Sequence, residues 1–120
     1  MNSLILIAHG SRLASSNEEI IMLTECLQEK LADDYFYISH AFLELAEPSI
    51  PRAIDMCMDL DTRRIDLFPY FLTAGKHTTQ DIPAVVEQAM QKYPGVDYEI
   101  KNYLGMLKGI TDMIAETMSN

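Results

Sequence analysis

Leu4-Ile5-Leu6-Ile7-Ala8-His9-Gly10-Ser11-Arg12 is the stretch that decides the fold. Four large apolar residues in succession, two of them β-branched, predict a strand buried on both faces, as in a parallel sheet. The run then stops at histidine, glycine, serine and arginine. In open α/β sheets, ligands bind just beyond the carboxyl ends of the strands. His9 is therefore placed for chemistry, although a lone histidine can equally do no more than cap a turn.

The segments that follow alternate in period. Ile20, Ile21, Leu23, Leu27 and Leu31 recur at helical spacing. They predict a helix over 16–32, with Ser15 or Ser16 as cap and Glu18 and Glu19 in the first turn. The aromatic, β-rich run 35–43 predicts a second strand. Ser49 and Pro51 then mark the start of a helix over 50–60, with Ile54, Cys57 and Met58 facing inward. Residues 65–72 predict a third strand, with Pro69 at a position that needs no ladder N–H. A polar loop over 73–81 leads to a helix over 82–93, for which Thr79 or Asp81 is the candidate cap. Pro94-Gly95 marks a turn. An edge-like strand over 96–100 and an amphipathic helix over 104–118 complete the chain. The order βαβαβαβα predicts a doubly wound, four-stranded parallel sheet with helices on both faces. No linker or repeat interrupts it, so the expectation is a single α/β domain over residues 1–120.

Bulk properties narrow the function. A hydrophobic fraction of 48% supports a real core. A net charge of −9 argues against nucleic acid and against anionic membrane surfaces. With neither a signal peptide nor a membrane span evident, the chain reads as soluble and cytoplasmic. Cys26 and Cys57 read as reduced, buried thiols. Met56, Met58, Met106 and Met113 read as core filling, with an adaptable cleft or dimer face as the other reading.

Polar groups converge at the strand ends. The first strand ends at His9, the second at Glu44, and the third runs into the loop with Lys76 and His77. If the first strand lies between the other two, neighbouring ends stand about 4.8 Å apart and the switch point falls beside His9. Two imidazoles and a carboxylate with open positions suit a divalent first-row metal. Gly10, Ser11, Arg12 and Lys76 suit a carboxylate or phosphate. Glu47 reads as an acidic residue near a helix start and His40 as a structural or exposed strand histidine. Asp81 reads as a helix cap or as a group that orients His77.

These residues resemble a known family. His9-Gly10-Ser11-Arg12, Phe42-Leu43-Glu44-Leu45-Ala46-Glu47-Pro48-Ser49-Ile50 and Pro69-Tyr70-Phe71-Leu72-Thr73-Ala74-Gly75-Lys76-His77 look like the motifs of the sirohydrochlorin chelatases. The resemblance covers nearly the whole chain. It implies one half of a two-lobed chelatase, working as a homodimer with a cleft between lobes for the tetrapyrrole. It implies ATP-free insertion of Co²⁺ or Fe²⁺, with Ni²⁺ as a further candidate, into sirohydrochlorin, and no organic cofactor. By the family's pattern His9 and His77 hold the metal and Glu44 stands beside it.

The chemistry is within reach of these groups. Metallation needs a partly dehydrated ion held in an open site and two pyrrole protons removed. One imidazole, with an ordinary pKa of about 6.5, serves as base and the other as principal ligand, with Glu44 assisting. Arg12, Lys76 and Ser11 are the candidates for the substrate's carboxylates. Two rivals remain. A carrier of metal or tetrapyrrole would use the same site without turnover. A phosphoryl-transfer enzyme with a nucleophilic His9 is disfavoured, because the histidine phosphatases place Arg before His-Gly and this chain has Ala8.

Overall fold

The apolar run becomes the central strand. In the computed structural model, which describes residues 1–119, β1 spans Asn2–Ala8 and every residue from Ser3 to Ala8 is buried. It is followed by α1 (Ala14–Lys30), β2 (Tyr37–Phe42), α2 (Ile50–Asp59), β3 (Arg64–Pro69), α3 (Ile82–Met90), β4 (Asp97–Ile100) and α4 (Gly109–Met118). All strand pairs are parallel, in the order β2-β1-β3-β4. β1 thus lies between β2 and β3, the arrangement that puts the switch point beside His9.

Side-chain alternation separates two faces. Ile5, Ile7, Ala41, Ile65 and Leu67 pack under Ile50, Ile54 and Cys57 of α2 and Ile82 and Val86 of α3. Each large side chain buried there contributes about 1.5–3 kcal/mol. Leu4, Leu6, Ile38 and Phe42 are buried on the opposite face, where α1 lies against β2. Gln28 Nε2 donates to the Ile38 carbonyl at 2.9 Å and ties α1 to that edge strand.

Local chemistry explains most element ends. Ser49 caps α2, its Oγ accepting from Arg52 N, and Pro51 follows inside the first turn. β3 stops at Pro69, short of the expected 72, and the next ladder bond runs from Tyr70 N to Ile7 O. α1 begins earlier than its serines predict. Leu13 holds the N-cap position without a side-chain bond, and Glu18 and Glu19 fall beyond the first turn. The polar work shifts upstream: Ser11 Oγ accepts from Leu13 N, and the Asn17 amide brackets the Ser11 backbone. The expected cap of α3 also differs. Neither Thr79 nor Asp81 caps it, because 77–81 already forms a π-helical turn that runs directly into α3.

The expected helix over 104–118 is broken in two. A 3₁₀ turn covers Leu104–Met106, and α4 starts only at Gly109. Gly105 explains the break: it docks on the loop after β3, its N–H donating to Phe71 O, and a Cβ there would sit 1.7 Å from Leu72 O. Two burial expectations are corrected as well. Cys26 is exposed, whereas Cys57 is buried and its thiol is pushed up to about 11 by that burial. Met58 packs against the core, but Met106 and Met113 are exposed and fill no core. His40 is half-buried, ring edge against Phe42, and burial holds its pKa below the usual value. Among the described residues, no helix is long and apolar enough to cross a membrane.

One buried charge sits at the opposite end of β3 from the His9 rim. Asp66 is 6% exposed and pairs with Arg64 at 3.0 Å, while Tyr35 OH donates to its Oδ2 at 2.6 Å. Burial, then the bond to Asp66, pushes the Tyr35 phenol from 10.0 up to about 12. A phenol raised in the folded state stabilises the fold below its unfolded value and loses that contribution as pH climbs through the folded one. The wild-type chain should therefore lose stability between pH 10.0 and about 12 more steeply than Tyr35→Phe. Urea unfolding at stepped pH reads this, and parallel curves for the two proteins would remove the role.

Candidate metal centre

Backbone pairing continues past the strands and builds the site. Leu43 N donates to Ala8 O at 2.9 Å and Glu44 N to His9 O at 3.0 Å, so the β1–β2 ladder carries Glu44 alongside His9. Gly10 permits this approach. Its φ is +97°, and a Cβ there would lie 1.8 Å from the Glu44 carbonyl oxygen. The side chains then meet, His9 Nε2 standing 2.9 Å from Glu44 Oε1.

The third member arrives on the π-helical turn over His77–Asp81, which closes with Ile82 N donating to His77 O. Gly75 and the two threonines hold its start. Gly75 N donates to Thr78 Oγ1, Thr79 N donates to Gly75 O, and both threonine hydroxyls donate to Gly75 O. Single π-turns of this kind are frequent at functional sites. Here the turn delivers His77 to His9, with ring centroids 4.9 Å apart in an edge-on arrangement. One ligand atom each from His9, Glu44 and His77 lie within 4.8 Å of one another.

Both imidazoles are oriented through Nδ1. His9 Nδ1 lies 2.9 Å from Gly10 O, and His77 Nδ1 lies 2.9 Å from Asp81 Oδ2. With the proton of His77 assigned to Nδ1, its Nε2 is a free lone pair, whereas Nε2 of His9 is paired with Glu44 Oε1 and turns its lone pair to an ion only when that ion comes between them. The groups remain open to solvent, with side-chain exposures of 40% for His9, 53% for Glu44 and 45% for His77. Two nitrogens and one oxygen from protein leave coordination positions for water or substrate.

The sequence-predicted residues divide into two sets. His9, Glu44 and His77 come together, and Asp81 takes the orienting role rather than the capping one. Arg12 and Lys76 are exposed in the flanking loops, and among the described residues neither has an ion-pair partner. Ser11 Oγ is engaged locally with Leu13 N. Glu47 Oε2 accepts from Ser49 N at the entrance to α2. The Gly75–Thr79 network was not anticipated, and its signal in the sequence is the glycine two residues before His77 with two threonines directly after it.

Comparison with known proteins identifies the family and the fold. The CbiX family model matches residues 3–120. The chloroplastic sirohydrochlorin ferrochelatase of Arabidopsis thaliana is 32% identical, over 99% of this chain and 54% of its own. The sirohydrochlorin cobaltochelatase of Methanocaldococcus jannaschii is 36% identical, over 72% of this chain and 59% of its own. This chain therefore spans little more than half the length of those relatives. Among solved structures, a CbiX protein from Marinobacter aquaeolei VT8, described in connection with cobalamin biosynthesis, superposes with a TM-score of 0.80 at 27% identity, covering 99% of this chain and 95% of that one. The cobalt complex of the sirohydrochlorin chelatase SirB from Bacillus subtilis subspecies spizizenii has the same fold, with a TM-score of 0.88 at 22% identity over 98% of this chain and 50% of its own. With the family model spanning nearly every residue and the motif histidines meeting at one rim, the chain belongs to the CbiX family, that of the sirohydrochlorin chelatases.

Proposed function

We propose that this chain is a sirohydrochlorin chelatase that inserts a divalent metal, Co²⁺ or Fe²⁺, into sirohydrochlorin without ATP. It serves cobalamin or siroheme biosynthesis as a cytoplasmic homodimer, two copies standing where longer relatives have one chain. The observation that carries the reading is the open His9–Glu44–His77 cluster, with each ring turned by its Nδ1 partner to present Nε2. Two N and one O donors accept Co²⁺, Fe²⁺ and Ni²⁺ alike, and such a site holds an ion loosely enough to pass it on.

The surroundings support a flat, anionic ligand. Leu13, Leu45, Tyr70 and Leu72 are exposed on the loops that follow β1, β2 and β3. Leu45 adopts a φ of 69°, a conformation uncommon for leucine, directly after Glu44. Apolar side chains left exposed on this rim suit the face of a macrocycle. Arg12 and Lys76 provide local cations for its carboxylates, which long-range attraction toward a protein of net charge −9 does not supply.

The mechanism follows from the donors. The metal, as substrate, is received by Nε2 of His9, an oxygen of Glu44 and Nε2 of His77. As the pyrrole nitrogens replace protein ligands, the two N–H protons that the divalent ion displaces leave one at a time: the freed Nε2 of His77 takes the first, passes it to solvent, to which the side chain is 45% exposed, and then takes the second. The Asp81 carboxylate behind His77 faces the positive charge that forms, whereas His9 has only a neutral carbonyl behind it. His9 and Glu44 therefore keep the ion until transfer is complete.

An anaerobic absorbance time course tests the activity, with sirohydrochlorin mixed separately with Co²⁺, Fe²⁺ and Ni²⁺. Acceleration over the metal-only control, abolished in His9→Ala and in His77→Ala, is the expected result. A tight spectral shift on tetrapyrrole binding with no acceleration for any metal would make the protein a carrier instead. Asp81→Asn should lower kcat about 10- to 100-fold with KM for the tetrapyrrole little changed, as loss of an orienting partner does. Arg12→Ala should raise KM more than it lowers kcat, and a pure kcat effect would count against carboxylate binding there.

A further inference from the structure

His77 reaches the metal rim because of how its turn is wound. Ile82, five residues on, is fully buried in the core under the sheet. In a continuous α-helix His77 would stand about 140° round the axis from Ile82, turned away from that side. The π-helical turn over His77–Asp81 removes most of this offset. It closes with Ile82 N donating to His77 O, which brings His77 back into line with Ile82 along the helix. Such turns are rare beside regular α pairing, so something local must favour this one.

Three donors converge on one carbonyl just upstream. Gly75 O accepts from Thr79 N at 2.9 Å, from Thr79 Oγ1 at 2.7 Å and from Thr78 Oγ1 at 3.2 Å. A carbonyl oxygen has two lone pairs, so the three compete, and the Thr79 hydroxyl makes the shortest bond. Threonine hydroxyls that bond back to a carbonyl three or four residues earlier bend a helix and loosen its regular ladder. Here two successive threonines do so where the α pattern, Thr79 N to Gly75 O, gives way to the π pattern, Ile82 N to His77 O. Thr78 is tied a second way, its Oγ1 accepting from Gly75 N at 3.0 Å. Neither threonine belongs to the His9–Glu44–His77 cluster, so any effect on an ion passes through His77.

We infer that Thr79 is a positioning residue of the metal centre: its hydroxyl, bonded back to Gly75 O, holds the π turn that lines His77 up with Ile82 and so brings it to His9. Thr78 supports the same carbonyl. Without the Thr79 hydroxyl the turn regains α pairing, and the His77 ring swings away from the His9 ring, which it now meets at a centroid distance of 4.9 Å. The two devices around His77 divide the work. Asp81 fixes how the ring is turned, and Thr79 fixes where the backbone that carries the ring stands. The inference rests on the reading of His77 as a metal ligand, and its test separates the two.

Calorimetric titration of the full chain with Co²⁺ alone provides the test. Thr79→Val keeps the branched shape and removes the hydroxyl. It should weaken Co²⁺ binding about three- to tenfold, the range set by one such hydrogen bond, and Thr79→Ser should restore it. In a His77→Ala background, itself weakened, Thr79→Val should change nothing further, since both substitutions remove the same ligand from the ion. A threonine that merely supports the fold would weaken both backgrounds alike. That result would overturn the inference, as would a Thr79→Val protein that binds Co²⁺ as tightly as the wild type, and either would leave His77 standing as a ligand. A His77→Ala protein with undiminished Co²⁺ binding would overturn the inference and the ligand reading together. Far-UV circular dichroism establishes that each variant is folded, and Thr78→Val, expected to act in the same direction, decides if Thr79→Val is not.

Discussion

The parallel hydrogen-bond ladder that seats β1 between β2 and β3 is the constraint on which the rest depends. It sets Ala8 opposite Phe42 and Ile7 opposite Pro69, so three strands end at one rim. Because the ladder extends one further step, from Glu44 N to His9 O, the carboxylate is placed by backbone geometry and not by a flexible side chain reaching across. In β3 the alternation of Ile65 and Leu67 with Asp66 holds that register, since a slip of one residue would turn the carboxylate into the core.

Precision at the rim comes from features that cost the chain something locally. Gly10 takes a left-handed φ so that two loops can touch, and Leu45 takes one without the excuse of lacking a Cβ. The π-helical turn gives up regular α-helical pairing to carry His77 inward on the N-terminal side of α3. Each imidazole is held from behind, one by a carbonyl and one by a carboxylate. That difference gives two chemically identical side chains different electrostatic surroundings.

How much of this was legible follows from the range of the forces involved. The strands, the helices over the 50s and 80s and the rim positions of His9 and Glu44 follow from periodicity and cap chemistry, both of which act within a few residues. The start of α1 was misplaced because Asn17 reaches back to Ser11, a side-chain bond that competes with serine capping. The expectation of one helix over 104–118 failed because Gly105 answers to Leu72, more than thirty residues away in sequence. The burial of Cys26 and Met113 was misjudged for a related reason. An apolar residue at helical spacing states that a face exists, and what covers that face is decided by elements far along the chain.

By itself, then, the sequence determined an alternating α/β chain, its acidic balance, and an inventory of two histidines, a glutamate and two cations placed just past strand ends. Those are matters of local pattern, because strand period, helix period and turn residues are written in adjacent positions. Only the tertiary structure decided that His9, Glu44 and His77 share one space, that Asp81 orients instead of capping, and that α4 keeps its apolar stripe outside the core. Those outcomes depend on strand order, on a backbone approach that only glycine allows, and on packing between segments that meet solely in the folded chain.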